Sequence, residues 1–223
     1  MWKLRMHRFG GLAARRNSGY RAERRAVDGW QATPVTFTSP EMRTAWLILL
    51  GEVAAKAVYV QPDPLSYLRQ GTLLTARADF LCETREDRCA YVLLERKASQ
   101  ASNALAWGTL SEACRAHGTV ARLMTLEDLM AGGFAARNME RARTLETVHD
   151  NFDSRGLENW IGERLADFPC WTVGELAADI DFVSFRLTRS HLDVALYRAR
   201  RAMRLCFDIT KELYGNETLI RRV

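Results

Sequence analysis

The sequence lacks the patterns of a membrane protein, a disulfide-bonded protein and a structural zinc protein. No stretch approaches the roughly 18 apolar residues of a membrane span, so no membrane partner is expected. The five cysteines are an odd number and form no Cys-x-x-Cys pair, which argues for a reducing compartment and against structural zinc. The Arg-rich start has no apolar signal-peptide core; it could mimic a transit peptide, but a basic arm is the preferred interpretation. We therefore expect a cytoplasmic protein.

The composition is that of a globular protein with unevenly distributed charge. The 223 residues are 48% hydrophobic and 26% charged, enough for one large or two small domains. The formal charge of +5 favours an anionic partner. Basic residues are concentrated in residues 1–32, which we interpret either as a mobile arm that settles on DNA phosphates or as a solubilising tail without a partner.

The centre of the sequence is a predicted hairpin, Thr72–Lys97. Its arms, Leu73–Leu81 and Ala90–Lys97, are apolar or β-branched, whereas Glu83–Arg88 between them is almost wholly polar. The pattern therefore predicts two antiparallel strands joined by a polar turn.

Three charged residues of this hairpin are expected to converge. If the chain turns near the middle of the polar run, Asp79 and Glu95 lie about opposite one another, and strand alternation places Lys97 on the face of Glu95. Neighbouring carboxylates repel unless a cation lies between them, and Mg²⁺ or Mn²⁺ suits such oxygen ligands. The alternative is an ordinary solvated hairpin.

The elements around the hairpin predict an α/β fold with a mixed sheet flanked by helices. A helix over Pro40–Lys56 begins at Ser39 as N-cap and offers two acids, Glu41 and Glu52, of which only one can reach a given metal. The other predicted elements are a strand over Ala57–Gln61, a helix opened by Ser102 and Asn103 and ending near His117, a strand over Thr119–Met124 and a helix that starts at Thr125.

The C-terminal region, residues 146–223, resembles a small winged-helix domain: three short helices and a hairpin, after a connector over 144–156. Its third helix carries the arginines expected partly outward, as DNA-binding candidates: Arg189, Arg198, Arg200, Arg201 and Arg204. DNA binding and docking of another protein stay equal alternatives, beside a helical accessory domain with a solvated basic face. His149 and His191 are interpreted as ordinary surface or core histidines.

Six motifs follow one another between Phe37 and Asn138: Ser39-Pro40-Glu41, Gln61-Pro62, Ala78-Asp79-Phe80, Glu95-Arg96-Lys97, Thr125-Leu126-Glu127-Asp128 and Asn138. In its order and spacing this series resembles the TnsA family, the endonuclease subunit of heteromeric, Tn-seven-like transposases in the PD-(D/E)XK nuclease superfamily. The series departs from the family at Ala78, where proline is usual, at Arg96, where an apolar residue is usual, and in a shorter interval from serine to the first acid.

This resemblance implies a restriction-endonuclease-like domain over residues 33–145 with a magnesium site. Asp79, Glu95 and Glu41 would hold one or two Mg²⁺ ions, for which Mn²⁺ would substitute, and Lys97 would orient water or neutralise charge on the phosphate. Glu52 is the fallback for Glu41. Gln61 is a motif residue without a chemical role, for which backbone bonding is the preferred interpretation.

The implied function is hydrolysis of phosphodiesters in double-stranded DNA at the 5′ ends of a mobile element. The implied partners are a DDE-type transposase, which acts on the 3′ ends, and an AAA+ regulator that contacts the C-terminal domain, on the bacterial nucleoid. Two alternatives remain: a restriction or repair nuclease of the same superfamily that acts alone, and a non-catalytic winged-helix DNA-binding protein.

Overall fold

The computed structural model describes residues 20–26, 29–35, 37–52, 55–84 and 89–223, with side chains described for residues 37–52, 55, 57–84 and 90–223. The chain divides into two compact units, Met1–Ala131 and Gly132–Val223. Among the described residues, no helix combines the length and the apolarity needed to cross a membrane.

The first unit is an α/β structure built on a four-stranded mixed sheet, which confirms the predicted mixed sheet flanked by helices. Its helices are α1 (Pro40–Gly51), α2 (Gln100–Ala116) and α3 (Leu126–Ala131). Its strands are β1 (Tyr20–Ala26), β2 (Gly29–Val35), β3 (Ala55–Val60), β4 (Leu65–Arg69), β5 (Thr72–Ala76), β6 (Phe80–Thr84), β7 (Cys89–Leu94) and β8 (Val120–Met124).

The sheet has the order β3-β6-β7-β8, in which only the last pair is parallel. Strand β6 pairs with both β3 and β7 in antiparallel fashion, and Phe80 lies opposite Val60 on one side and Val92 on the other. Helix α2 makes the long connection that two parallel strands require, and its residues Leu110 and Cys114 are buried against the sheet. The chain therefore passes from β7 through α2 to the edge strand β8.

The predicted first arm of the hairpin, Leu73–Leu81, is two strands. Strand β5 pairs with β4, whereas β6 belongs to the four-stranded sheet. Residues Gln70 and Gly71 join β4 to β5 with φ of 49° and 79°, and positive φ at both central residues is typical of a tight type I′ turn. Neither proline nor glycine marks the break at Arg77-Ala78-Asp79, so the sequence pattern predicts one continuous arm.

The predicted polar turn begins later than expected, since β6 extends to Thr84. Residues 85–88 lie outside the described part of the chain.

Helix α1 begins as predicted but is shorter. Ser39 has extended backbone angles and its hydroxyl accepts a hydrogen bond from Met42 N at 3.1 Å, with Pro40 at the first helical position. The helix ends at Gly51 rather than near Lys56 because Ala55–Val60 pairs with β6 as strand β3. The pairing of β3 with β6 therefore overrides the helical pattern that the sequence continues to Lys56.

The C-terminal part of the predicted arm over residues 1–32 has strand structure, which the sequence pattern does not predict. Residues 20–26 and 29–35 form an antiparallel pair, β1 and β2, in which Tyr20 lies opposite Val35. The prediction relied on charge and on missing helical periodicity, but strand pairing is supplied by backbone groups and requires neither. The rest of the proposed arm, residues 1–19, lies outside the described residues.

The second unit contains four helices and a three-stranded antiparallel sheet of order β10-β11-β9. Thr172 and Thr188 cap helices, each with a capping box. Its elements are α4 (Gly133–Val148), α5 (Arg155–Asp167), β9 (Cys170–Thr172), α6 (Val173–Asp179), α7 (Arg189–Arg201), β10 (Leu205–Cys206) and β11 (Leu219–Arg222).

Helix α4 belongs to the second unit, although the sequence predicts a nuclease domain up to residue 145 and a connector from Thr144. Its alanines Ala135 and Ala142 are 3% and 2% exposed and join the core formed by residues of α5, α6 and α7. The small, widely spaced apolar residues of α4 explain why its membership in this core was not visible in the sequence.

Asn138 of α4 fixes the segment between β10 and β11. It is 2% exposed, its Nδ2 donates to the carbonyls of Ile209 and Glu212, and its Oδ1 accepts from Tyr214 N at 2.9 Å. One amide side chain thus replaces the strand partners that this irregular segment lacks. The family-like asparagine motif therefore has a structural role in this chain.

We expect Asn138→Ala to lower the free energy of unfolding by about 3 kcal/mol, because three backbone groups lose their partner in a dry environment. Urea unfolding followed by circular dichroism measures the change. Asn151→Ala, at an exposed position, is the control. A loss below about 0.5 kcal/mol for Asn138→Ala would contradict this account.

Candidate functional site

The four residues predicted as catalytic line one cleft of the first unit, with a volume of about 240 Å³. The cleft lies where α1 begins and β7 ends. Its lining consists of Thr38, Ser39, Glu41, Met42, Asp79, Leu94, Glu95, Arg96, Lys97 and Leu126. Glu41, Asp79, Glu95 and Lys97 thus come together from separate parts of the sequence.

Asp79 is the most firmly held residue of the cleft. Its N–H donates to Val92 O at 3.1 Å and its carbonyl accepts from Gln61 N at 2.8 Å. The backbone of Asp79 therefore links β7 to the residue that follows β3. Its side-chain Oδ2 accepts from Leu94 N at 3.0 Å. With 7% of its surface exposed, the carboxylate is fixed at the entry to β6.

Asp79 and Glu95 do not lie directly opposite one another as predicted. The register pairs Phe80 with Val92, so the position after Val92 faces Asp79, and β7 ends at Leu94. Glu95 therefore follows the end of the strand, where strict strand alternation no longer fixes its direction. Both side chains still reach the cleft because this offset is close to two residues.

Glu95 is held by the β8 to α3 connection. Its N–H donates to Met124 O at 2.8 Å, which continues the pairing of β7 with β8. Its Oε2 accepts from Leu126 N at 3.1 Å, one of the amides that a helix start leaves unpaired. The capping residue expected at Thr125 is present as well, since Thr125 and Asp128 exchange backbone and side-chain hydrogen bonds.

Glu41, in the first turn of α1, faces Lys97 across the cleft, with 3.4 Å between Oε1 and Nζ. The pKa of Glu41 lies below its ordinary value of 4.5, first because of its own backbone N–H, then because of the Ser39 hydroxyl and the Lys97 ammonium. Its fallback, Glu52, pairs instead with Arg122 at 3.6 Å and does not line the cleft. The geometry therefore associates Glu41, not Glu52, with the other three residues.

Arg96 was not expected in the cleft but contributes to it. Its guanidinium Nη2 forms an ion pair with Asp79 Oδ1, because the end of β7 frees its side chain from strand alternation. Its peptide is bracketed by Asn103 of α2, which accepts from Arg96 N at 3.4 Å and donates to Arg96 O at 3.0 Å. The helix start predicted at Ser102 and Asn103 lies at Ser99, which caps α2.

The donor set suits a hard divalent cation in type, since Mg²⁺ takes carboxylate oxygens. Within residues 37–52, 55–84 and 90–223, however, no three acidic, histidine or cysteine side chains lie close enough to hold an ion. Both Asp79 oxygens accept hydrogen bonds, one from Leu94 and one from Arg96. The contact that a cation would have to replace is therefore the one with Arg96.

Gln61 acts through its backbone. It directly follows β3 with φ of 50°, in the left-handed region, and its N–H donates to the Asp79 carbonyl. Its side chain is exposed and is not part of the cleft lining. The motif residue therefore positions Asp79, in keeping with the expected backbone-bonding role.

The arginines proposed to face DNA are bonded within the second unit. Arg200 is buried rather than outward: its Nε donates to Phe207 O at 3.1 Å and its guanidinium lies over the Phe207 ring. Arg189 Nε donates to Asp193 Oδ1 at 3.1 Å, and Asp193 is 2% exposed. A buried carboxylate needs such a partner, which draws the arginines inward.

The other three arginines have acceptors on α4, α5 and the segment between them. Arg198 donates to the carbonyls of His149 and Phe152, Arg201 lies 2.9 Å from Glu146 and Arg204 lies 2.7 Å from Glu158. Arg204 keeps 58% of its side chain exposed, compared with 25% for Arg201. Sequence periodicity could not reveal these acceptors, because they lie more than 40 residues away.

The two histidines have local structural roles. His149 Nε2 lies 2.8 Å from Ser190 Oγ, and His191 Nδ1 accepts from Thr188 N at 2.9 Å as part of the α7 capping box. Burial, and secondarily the neighbouring His149, lower the pKa of His191. This favours the neutral imidazole that the capping bond needs.

A search with protein-family models and a search of curated protein sequences each found no match to this chain.

We expect Lys97→Ala to raise the pKa of Glu41 without restoring it fully to 4.5, because the backbone N–H and Ser39 still favour the carboxylate. A carbon-detected NMR titration of the Glu41 carboxyl measures this. A lowered pKa stabilises the folded state above about pH 4.5, and this contribution is lost as pH falls through the folded value.

The control is Lys211→Ala, which breaks a Lys–Asp pair of the second unit and should leave the Glu41 titration unchanged. An unaltered Glu41 pKa in Lys97→Ala would show that the two side chains do not interact in solution.

Proposed function

We propose that this chain is a metal-dependent DNA endonuclease subunit of a TnsA-like heteromeric transposase. The observation that carries the proposal is the shared cleft of Glu41, Asp79, Glu95 and Lys97. These residues were selected from sequence motifs spread over more than fifty positions, on a helix start, a strand entry and a strand end. Unrelated exposed charges have no reason to gather in one cleft.

The reaction we propose is hydrolysis of a phosphodiester in double-stranded DNA. Asp79, Glu95 and Glu41 would hold Mg²⁺, or Mn²⁺ in its place, which when bound would polarise the phosphate and lower the pKa of bound water. Lys97 would place its ammonium against the phosphate and offset the charge that develops there. Asp79 would be the pivotal ligand, since its backbone is fixed on both sides.

Lys97 is suited to a role in which it contacts substrate. Its side chain is 78% exposed and pairs with Glu41, itself 35% exposed. Exposed pairs contribute little stability, typically below about 1 kcal/mol, so Lys97 can exchange this partner for a phosphate.

The second unit would serve as a winged-helix-like module that contacts DNA or an AAA+ regulator. Its order α5-β9-α6-α7-β10-β11, with β11 between the other two strands, supports a winged-helix-like arrangement. The inward bonding of the α7 arginines favours protein docking over DNA reading by that helix. In the proposed setting the chain acts in the bacterial cytoplasm, on nucleoid DNA, beside a DDE-type transposase.

A strand-specific nicking assay on element-end DNA in Mg²⁺ or Mn²⁺ tests the proposal. With the encoded neighbouring transposase present, wild type should cut the 5′ strands, and Lys97→Ala should be slower by at least about 100-fold because charge stabilisation is lost. Lys211→Ala is the control, as it removes an equally exposed lysine of the second unit.

Each alternative has its own outcome in this assay. Cleavage without any partner would favour the nuclease that acts alone. Equal rates for wild type and Lys97→Ala, or no cleavage by either, would reject the cleft as a nuclease site and leave a DNA-binding or docking protein.

Metal binding tests the ligand assignment separately from activity. We expect Asp79→Ala to abolish the heat of Mn²⁺ binding in calorimetry, since it removes the fixed carboxylate, and Glu52→Ala to bind like wild type. Loss of binding in Glu52→Ala with normal binding in Glu41→Ala would show that the helix acid is Glu52.

A further inference from the structure

The ion pair between Arg96 and Asp79 is unequal in its surroundings. The Asp79 side chain is 9% exposed, whereas the Arg96 side chain that contacts it is 63% exposed. The second Asp79 oxygen is bonded to the Leu94 amide, which the sheet holds in place. Arg96 is thus an exposed side-chain partner of a buried carboxylate whose other oxygen is bonded to the sheet backbone.

The charge of Asp79 explains why such a partner is present. A buried carboxylate is costly unless a cation or several donors compensate it, and one backbone N–H supplies only part of this. A guanidinium is planar, charged and suited to carboxylates, so it can substitute for a metal ion as the local positive charge.

We propose that Arg96 is an exchangeable counter-ion: it occupies Asp79 in the metal-free protein and has to leave before a divalent cation binds there. This inference rests on the proposed function, because it assumes that Asp79 is a metal ligand. Arg96 is then a regulatory residue of the site, and it sets how readily the site takes up metal.

The exchange requires a change in the Arg96 side chain alone. The Arg96 peptide is bracketed by Asn103, and Glu95 before it is bonded to Met124 and Leu126, so the backbone stays in place when the guanidinium leaves. Once displaced, the guanidinium remains at the cleft rim, where it adds positive charge for a phosphodiester.

The exchange lowers the apparent metal affinity. A ligand that binds only the fraction of molecules with an open site has its dissociation constant divided by that fraction. If Arg96 occupies Asp79 about nine-tenths of the time, removing it should tighten binding about tenfold. The chain would therefore take up metal weakly by itself, whereas a variant without this arginine would take it up readily.

Calorimetric titration of the full chain with Mn²⁺, in the absence of DNA, tests the inference. We expect Arg96→Ala to bind Mn²⁺ about tenfold more tightly than wild type, and Arg96→Lys to lie between them, because an ammonium keeps the charge without the planar fork. Arg69→Ala is the matched control: Arg69 is 61% exposed and pairs with Glu112 at 3.4 Å, outside the cleft. It should bind like wild type.

Arg96→Ala leaves Asp79 without its cation and could fail to fold, which far-UV circular dichroism detects. Arg96→Gln keeps a donor at this position without the charge, and it provides the same comparison. The rise in melting temperature on adding Mn²⁺ gives a second readout and should be larger in either variant than in wild type, because the uncompensated carboxylate gains more.

The outcomes separate this inference from the proposed function. If wild type binds Mn²⁺ and folded Arg96→Ala or Arg96→Gln binds no more tightly, Arg96 is not a competing counter-ion, while the nuclease assignment stands. If neither wild type nor the folded variants bind Mn²⁺, the inference and the proposed metal site are both rejected.

Discussion

The position of Asp79 depends on the hydrogen bonds of its backbone N–H and carbonyl, and the rest of the cleft is arranged around it. Gln61, which follows β3, donates to its carbonyl, Val92 of β7 accepts from its N–H, and the sheet amide of Leu94 holds the side chain. These are backbone donors and acceptors, so the carboxylate is located by the sheet itself rather than by side-chain packing. A site built this way is pre-organised: its least mobile member is the buried acid, and its charged partners can rearrange.

In the second unit, buried charges are held by side chains rather than by the sheet backbone. Asp193 is almost fully buried and accepts from Arg141, Arg189 and the Tyr214 hydroxyl, while Arg200 is buried against Phe207. Satisfied buried charges of this kind specify one arrangement of helices, because any other arrangement leaves an ion unpaired. A basic helix in a sequence can therefore be an internal scaffold, and its arginine count alone does not identify a nucleic-acid surface.

The sequence allowed prediction of those features that depend on short-range signals. The Ser39 cap and the helix start at Thr125 follow from local chemistry, and motif order selected the four cleft residues. The early end of α1 and the split at Arg77 could not be predicted, because strand partners distant in the sequence decide them. The role of Arg96 was hidden for a similar reason: strand alternation directs it away, and only the end of β7 at Leu94 permits its return.

The hydrogen bond between Gln61 and Asp79 also closes a loop at its base. The chain leaves the sheet after Val60, makes the β4–β5 hairpin and comes back 2.8 Å from where it left. The hairpin rests on α2 through Tyr67 and Ala76, while its tip at Gly71 is open to solvent. Residues inserted at that tip would lengthen the β4–β5 hairpin and leave Asp79 in place. The length of the hairpin can therefore vary without a change in the cleft.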